Sequence, residues 1–251
     1  MSLLRRALAA SLLLLIACAA CGGGAEARAR VVVFAAASLT APFEVIAAAF
    51  ERDHAPHGVD LHFAGTPQLV VQVREGARVD VFASADMANI QRLVDAGATA
   101  GPPVVFARNR LAIAVAKGNP KGITTLADLA RDDLRVVLCG PEVPAGRYAR
   151  EALTKAGVAV RSRSDEPSVK AVVAKLQLGE IDAGIVYATD VLAAKATVDG
   201  IAVDAAHDVV AEYPIAVMNA GRQRDAAVAF VAFVRSEAGR RILQSHGFEL
   251  P

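Results

Sequence analysis

Four segments of the sequence place small or polar residues at the start of a predicted helix. These segments are residues 35–40, 65–67, 144–146 and 167–169. Ser38 and Thr66 fit the N-cap positions of their helices, with Pro67 at a first helical position. Each helix start offers unpaired N–H groups at the positive end of the helix dipole, which suits an anion. Because such starts are common in α/β proteins, each one taken alone is interpreted as a plain helix cap.

Other patterns that would carry catalytic or metal chemistry are weak. His54, His57 and His62 have a spacing that matches no helical metal pair, so we interpret them as solvated loop residues. No Gly-x-Ser-x-Gly segment, Walker loop or Ser-His-Asp ordering is present. Arg147 and Lys170 follow two of the helix starts and are interpreted as solvated surface charges. We therefore expect no enzyme activity, no direct metal-cation ligands and no cofactor.

The segments that carry these positions alternate between strand and helix. Strands are predicted at 31–34, 59–63, 79–82, 111–115, 136–138, 185–186 and 215–218. Helices are predicted to follow Ser38, Thr66 and Ser168, and also to cover 87–94, 126–130, 147–156 and two C-terminal segments. This order predicts an α/β fold with mainly parallel sheets flanked by helices. A ligand in such a fold lies at the carboxyl ends of strands, facing helix N-termini.

Composition bounds the class of protein. The 251 residues allow one large domain or two lobes of about 100 residues. Hydrophobic residues make up 54% of the chain and the net charge is +1, so a large core is expected and no basic surface suggests nucleic acid. Cys139 is the one cysteine of the expected folded part, so no internal disulfide is predicted, and we expect it to be buried near a strand end.

The N-terminus has the pattern of an export signal. Arg5 and Arg6 precede an apolar run that is shorter than the ~18 residues of a membrane span. The order Leu15-Ile16-Ala17-Cys18 resembles the lipobox of bacterial lipoproteins, in which the cysteine is lipidated. Cys21, followed by three glycines, is a second candidate, and an ordinary cleaved signal peptide is the alternative. Residues 1–29 are accordingly assigned to signal peptide and tether.

Five short motifs together resemble one family. They are Phe34-Ala-Ala-Ala-Ser38-Leu-Thr40, Ala83-Ser-Ala-Asp86, Pro141-Glu-Val-Pro-Ala-Gly146, Gly184-Ile-Val-Tyr187 with Asp190, and Tyr213-Pro-Ile-Ala-Val217. Their order and spacing resemble the molybdate-binding proteins of ABC importers, and the resemblance runs from about residue 30 to the C-terminus. It implies a two-lobed type II periplasmic-binding fold, with the first lobe at 30–108 plus 216–251 and the second at 109–215.

The resemblance also implies which residues bind the oxyanion. These are the hydroxyls and amides of Ser38 and Thr66, the amides of Ala145 and Val169, and the hydroxyl of Tyr187. All are neutral donors, and a tetrahedral dianion has only acceptor oxygens. Thr66-Pro67 departs from the serine-rich form of the family: the hydroxyl is kept, but Pro67 has no N–H to donate.

The function implied is capture of molybdate or tungstate and delivery to the membrane permease of an ABC importer. We expect a monomer in the cell envelope, periplasmic or held by a lipid at the outer face of the cytoplasmic membrane. Two alternatives remain: a binder of another oxyanion such as sulfate or phosphate, and an envelope enzyme acting on an oxyanion-bearing substrate. The enzyme would need a general base or a metal beside the anion, and no motif supplies either.

Overall fold

The computed structural model describes residues 30–251 as two five-stranded sheets flanked by helices. Cys18, Cys21 and the rest of the predicted signal and tether lie outside the described residues. The strands are β1 Arg30–Ala36, β2 Gly58–Ala64, β3 Val81–Ala83, β4 Val104–Asn109, β5 Leu111–Ala116, β6 Val136–Cys139, β7 Asp165–Glu166, β8 Ala183–Tyr187, β9 Val198–Ala202 and β10 Ala211–Val217. The helices are α1 Thr40–Asp53, α2 Thr66–Arg74, α3 Met87–Asp95, α4 Pro144–Lys155, α5 Val169–Gln177, α6 Ala188–Ala193, α7 Arg224–Arg235 and α8 Glu237–Ser245, with 3₁₀ turns at Ala37–Leu39 and Leu126–Ala130.

Each sheet contains a single reversed strand. The first sheet has the order β2-β1-β3-β10-β4, and β10 is antiparallel to both of its neighbours. The second has the order β7-β6-β8-β5-β9, and β5 is antiparallel to both of its neighbours. The other four strands of each sheet run in one direction. The predicted α/β fold with mainly parallel sheets is therefore confirmed.

The chain passes between the two sheets twice. Arg110 alone separates β4 of the first sheet from β5 of the second. Residues 203–210 return the chain from β9 to β10. The division predicted from sequence placed residues 109–215 in one lobe, whereas β10 already pairs with β4 from Ala211 onwards. Glu212 and Pro214 interrupt the apolar run there, which is why the strand signal in the sequence begins only at Ile215.

Glycines bring helices close to the second sheet at two points. A Cβ atom on Gly184 of β8 would lie 2.4 Å from a Val172 methyl group on α5 and 2.9 Å from the Val137 carbonyl oxygen. A Cβ atom on Gly146 of α4 would lie 2.1 Å from the Gly140 carbonyl oxygen. Both positions therefore require glycine, and the close packing fixes the N-termini of α4 and α5 beside the strand ends.

Sequence patterns located most elements but missed some. The strands β4, β7 and β9 and the short helix α6 were not predicted. Helix α4 begins at Pro144, three residues before the predicted start at Arg147. Leu126–Ala130 is a 3₁₀ turn rather than an α-helix. Among residues 30–251, no helix has both the length and the apolarity needed to cross a membrane.

Candidate functional site

The five residues expected to bind the oxyanion meet at one small cavity between the two sheets. Ser38, Thr66, Ala145, Val169 and Tyr187 all line it. Six further residues complete the wall: Ala36, Ala37, Gly65, Val143, Pro144 and Ser168. The cavity volume is about 20 Å³, close to the space that a single water needs. The two halves of the molecule are thus packed closely around this point.

Ser38 reaches the cavity from a 3₁₀ turn rather than from a helix cap. It is the middle residue of Ala37–Leu39, and the N-caps of this turn and of α1 are Ala36 and Leu39, which make no side-chain hydrogen bond. The expectation that Ser38 caps its helix is therefore wrong. Its hydroxyl is taken by a long-range partner, because Ser38 Oγ lies 2.9 Å from the hydroxyl oxygen of Tyr213.

Thr66 also differs from its predicted role as a helix cap. Gly65 is the N-cap and Thr66 is the first residue of α2, so Pro67 occupies the second helical position. The Thr66 hydroxyl oxygen accepts a long hydrogen bond of 3.4 Å from the Ala85 backbone N–H. A Cβ atom on Gly65 would lie 2.1 Å from the carbonyl oxygen of Pro167, which precedes α5 in the other half of the molecule. Glycine at this position therefore permits the close approach of the two halves.

Ala145 and Val169 present backbone N–H groups at two helix starts. Val143 caps α4, so Ala145 is the second helical residue and is only 1% exposed. Val169 is the first residue of α5 and is 4% exposed. N–H groups at these positions have no acceptor within their own helix. The Ser168 hydroxyl accepts a hydrogen bond of 3.3 Å from the Ala171 backbone N–H. Ser168 therefore caps α5, in agreement with the helix start predicted at this residue.

Tyr187 carries an unsatisfied buried hydroxyl. The residue ends β8, is 1% exposed, and its hydroxyl oxygen has no hydrogen-bond partner among the described residues. Burial raises the pKa of Tyr187 well above its ordinary value, so the hydroxyl keeps its proton. Buried polar atoms without a partner are rare in folded proteins. A donor left open at the wall of a cavity indicates that a bound acceptor completes it.

An ion pair joins the two halves beside the cavity. Arg147, on α4, pairs with the carboxylate of Asp86, which caps α3 and is fully buried. Asp86 also accepts from the backbone N–H and the side-chain amide of Asn89, at 2.8 and 3.0 Å. The interpretation of Arg147 as a solvated surface charge is therefore wrong, since it bridges the halves. Lys170 is exposed, as expected.

Asp190 lies next to the binding residues but does not line the same cavity. One carboxylate oxygen accepts from the Tyr187 backbone N–H at 3.2 Å, and the other has no partner among the described residues. Burial raises the pKa of Asp190 to about 6. The carboxyl group borders a separate cavity of about 290 Å³ that Lys170 and His246 also line.

The small cavity is lined by neutral groups. Its lining residues carry hydroxyls and backbone N–H groups but no carboxylate, imidazole, thiol or ammonium group. Within residues 30–251, no cluster of three or more His, Cys, Asp or Glu side chains is arranged to hold a metal ion. Two of the three histidines are not the solvated loop residues that the sequence predicts. His54 is partly buried and stacks on Phe50. His62 lies on strand β2, exposed beside Phe34. Cys139 is buried at the end of β6, as predicted.

Sequence reasoning missed the residues that support the binding groups. Tyr213 and Asn109 are buried polar residues behind Ser38, and Asp86 and Arg147 connect the halves. Tyr213 and Asp86 belong to the five motifs quoted above, but no local pattern assigns them a role. Asn109 ends an unpredicted strand and lies between Arg108 and Arg110, so no local pattern distinguishes it.

Comparison with known proteins extends these observations. Residues 31–249 match the family described as bacterial extracellular solute-binding protein. The chain is 42% identical over 221 residues to a protein of Mycobacterium tuberculosis named Molybdate-binding protein ModA, covering 88% of this chain and 85% of that protein.

Two solved structures have the same fold. The periplasmic molybdate-binding protein of Azotobacter vinelandii aligns with a TM-score of 0.78 and 19% identity over 88% of this chain and 99% of that one. The sulfate-binding protein SubI of Mycobacterium tuberculosis aligns with a TM-score of 0.80 and 18% identity over 89% of this chain and 87% of that one. At such identities the likeness concerns the fold, which the molybdate and sulfate binders share.

Proposed function

Because the chain belongs to the bacterial extracellular solute-binding proteins, we propose that it captures molybdate or tungstate and delivers the oxyanion to an ABC importer. One structural observation carries this proposal. The buried hydroxyl of Tyr187 is open at a cavity whose other walls supply neutral donors and apolar surface but no charged group. The 42% identity to a molybdate-binding protein favours molybdate over the other tetrahedral oxyanions.

We place the ligand among Ser38, Thr66, Ala145, Val169 and Tyr187. Backbone N–H groups at the starts of α4 and α5 supply partial positive charge, and the three hydroxyls supply directed hydrogen bonds. A dianion with four acceptor oxygens accepts from all of them. No full positive charge lines the cavity, which favours release of the cargo as well as its capture.

Opening and closing of two lobes would admit and enclose the anion. The first lobe holds the sheet formed by residues 30–109 and 211–217, and the second holds the sheet formed by residues 111–202. Hinge closure around a ligand excludes water and completes the donor shell. The small cavity and the contact between Gly65 and Pro167 support a closed arrangement in this structure.

The protein acts outside the cytoplasm, in keeping with its family. We further propose that a lipid on Cys18 or Cys21 holds it at the outer face of the membrane, where it reaches the importer as a monomer. The lipobox-like Leu15-Ile16-Ala17-Cys18 supports this anchor. We also propose that the protein catalyses no reaction, since the hydroxyls that line the cavity have no general base among the other lining residues to activate them.

Calorimetric titration of the mature domain with molybdate, tungstate, sulfate and phosphate tests the function. Molybdate and tungstate are expected to bind at least ~10²-fold more tightly than sulfate, a difference of about 2.7 kcal/mol. Recovery of the anion unchanged after incubation tests for a reaction. Equal affinity for sulfate would make the protein a general oxyanion binder, and altered anion would indicate an enzyme.

A further inference from the structure

A buried chain of polar side chains lies behind Ser38. The hydroxyls of Ser38 and Tyr213 are 2.9 Å apart, and the side-chain amide nitrogen of Asn109 lies 3.5 Å from the Tyr213 hydroxyl. The same nitrogen lies 2.8 Å from the hydroxyl oxygen of Thr189 on α6. Ser38, Asn109, Thr189 and Tyr213 are all at most 7% exposed, so water cannot readily exchange for these partners. These hydrogen-bonded side chains therefore connect Asn109, at the end of β4 where the polypeptide crosses to the second sheet, with Ser38 in the wall of the oxyanion cavity.

The orientation of the Asn109 amide is fixed by the backbone. Its oxygen accepts a 2.9 Å hydrogen bond from the Arg110 N–H, and an N–H can donate only to the oxygen end of the amide. The nitrogen end must therefore face Tyr213 and Thr189, where it can only donate. Tyr213 thus faces a donor on one side, at a distance that allows only a weak hydrogen bond.

The proton of Tyr213 then has a single destination. Among the described residues, Ser38 Oγ is the one acceptor with hydrogen-bond geometry within 3.5 Å of the Tyr213 hydroxyl. The Tyr187 ring packs edge-on against Tyr213, but its hydroxyl makes no hydrogen bond of acceptable geometry. Burial raises the pKa of Tyr213 above its ordinary value, so the hydroxyl stays protonated. If Ser38 donated to Tyr213 instead, the Tyr213 proton would be buried without an acceptor, which is unfavourable. The fixed amide of Asn109 and the buried proton of Tyr213 thus favour the same direction of hydrogen-bond donation, from Asn109 to Tyr213 to Ser38.

We propose that Asn109 and Tyr213 are positioning residues that direct the Ser38 proton into the cavity. Asn109 donates to Tyr213, Tyr213 donates to Ser38, and Ser38 has only the cavity left to donate into. The inference rests on the proposed function, because it assumes that a fully deprotonated oxyanion occupies the cavity. It goes further by explaining why Ser38 presents a donor rather than a lone pair, which would repel such an anion.

Two variants test the direction of the chain. Tyr213→Phe keeps the ring and removes the hydroxyl that donates to Ser38, so the Kd for molybdate is expected to rise about 10-fold. In the Ser38→Ala/Tyr213→Phe double variant the loss is expected to equal that of Ser38→Ala alone, because Tyr213 acts through Ser38. Losses that add in the double variant would overturn the proposal.

The Asn109→Asp substitution keeps the shape of the side chain but removes its N–H donor, which should reverse the direction of hydrogen-bond donation. The ionised carboxylate introduced by this substitution accepts from Tyr213. Tyr213 then no longer donates to Ser38, so the Ser38 proton is no longer held toward the cavity and can be donated to the Tyr213 oxygen instead. We expect molybdate binding at pH 8 to weaken at least about 10-fold and the deficit to shrink toward pH 5, where the protonated carboxyl group can donate again. A deficit that does not change between pH 8 and pH 5 would overturn the proposal.

Asn219→Asp is the matched control. Asn219 is exposed and its amide nitrogen donates to the carbonyl oxygens of Gly97 and Thr99, at 2.8 and 2.9 Å, away from the cavity. It is expected to bind molybdate like the wild type at both pH values. If the wild type binds sulfate but not molybdate, the proposed function is refuted. The same variants titrated with sulfate would then test the roles of Asn109 and Tyr213 separately. If Asn109→Asp does not fold in a thermal melt, the Tyr213 double-variant comparison decides alone.

Discussion

At the scale of single residues, binding of the anion depends on hydroxyls that the protein keeps out of water. Tyr187 has no partner among the described residues, whereas Ser38 is already bonded to Tyr213. The two hydroxyls therefore differ in what they contribute without ligand. Tyr187 gains its first hydrogen bond when an anion enters the cavity, and Ser38 gains a second.

This difference gives opposite expectations for stability. A charge-assisted hydrogen bond is worth about 1.5–3 kcal/mol, so Ser38→Ala and Tyr187→Phe should each weaken molybdate binding by roughly 10- to 150-fold. Without ligand, Tyr187→Phe should melt at or above the wild-type temperature because it removes an unsatisfied group. Ser38→Ala should lose about 1–3 kcal/mol because it orphans the buried Tyr213 hydroxyl. Calorimetry and thermal melts measure both effects.

Thr66→Val serves as the internal comparison and should cost less affinity, because its oxygen already accepts from Ala85 and Pro67 adds no donor. Wild-type affinity in both Ser38→Ala and Tyr187→Phe would place the anion elsewhere.

The Asp190 carboxyl predicts a pH dependence of stability. Its pKa in the fold is raised to about 6 from an ordinary value of 3.8, so the folded state binds the proton more tightly than the unfolded chain. Its stabilising contribution is full below pH 3.8 and declines as the pH rises to about 6, and above that the ionised buried group destabilises the fold. Asp190→Asn should therefore raise stability at pH 7.5 by about 1–3 kcal/mol and have little effect near pH 4.

Asp182 provides the opposite case for comparison. Its hydrogen bond with Arg135 lowers its pKa, so Asp182→Asn should reduce stability at pH 7.5. Chemical denaturation of both variants at the two pH values measures the sign. A loss of stability in Asp190→Asn at pH 7.5 would show that its hydrogen bond to Tyr187 outweighs its desolvation.

At the scale of secondary-structure elements, Arg147 on α4 and Asp86 at the start of α3 join the two halves. Because Arg147 is 39% exposed, we estimate the pair at about 1 kcal/mol. Arg147→Met should weaken molybdate binding about 5-fold by destabilising the closed arrangement, and the wild-type advantage should shrink at high salt.

Arg135→Met is the matched control for Arg147→Met. Arg135 pairs with Asp182 at 3.0 Å, but both residues belong to the second sheet's half. Its loss should change stability without changing affinity for molybdate. Equal effects of the two substitutions on affinity would mean that the Arg147 pair does not act on closure.

The elements also show how far the sequence could be interpreted. Apolar periodicity located α1, α2, α3 and α5, because each has one strongly apolar face. It missed β4 and β9, in which Arg108, Asn109 and Asp199 break the alternation. Local cap patterns misassigned Ser38, since its partner Tyr213 is 175 residues away and no local rule reports such a contact. The five binding positions came from the family resemblance. The support that Tyr213 and Asn109 give to Ser38 depends on contacts between distant parts of the sequence, which no local pattern predicts.

At the scale of the whole molecule, the proposed lipid anchor concerns where in the cell envelope the protein is held. Replacing both Cys18 and Cys21 with serine should release the protein from membranes, because either thiol can accept the lipid in the proposed anchor. Fractionation of cells that express the double variant measures this. The single variants show which cysteine is used. A double variant that stays on the membrane after signal cleavage would contradict the lipoprotein assignment.

The position of β10 has a consequence for the order in which the molecule is assembled. In the first sheet β10 separates β3 from β4, so β4 has no neighbouring strand until residues 211–217 have left the ribosome. All five strands of the second sheet lie within the continuous stretch 111–202. During synthesis the second sheet can therefore form before the first is complete, although the first begins earlier in the chain. The carboxyl-terminal segment therefore completes the half of the molecule that the ribosome synthesises first, so a chain truncated before residue 211 would retain a complete second sheet but an unfinished first one.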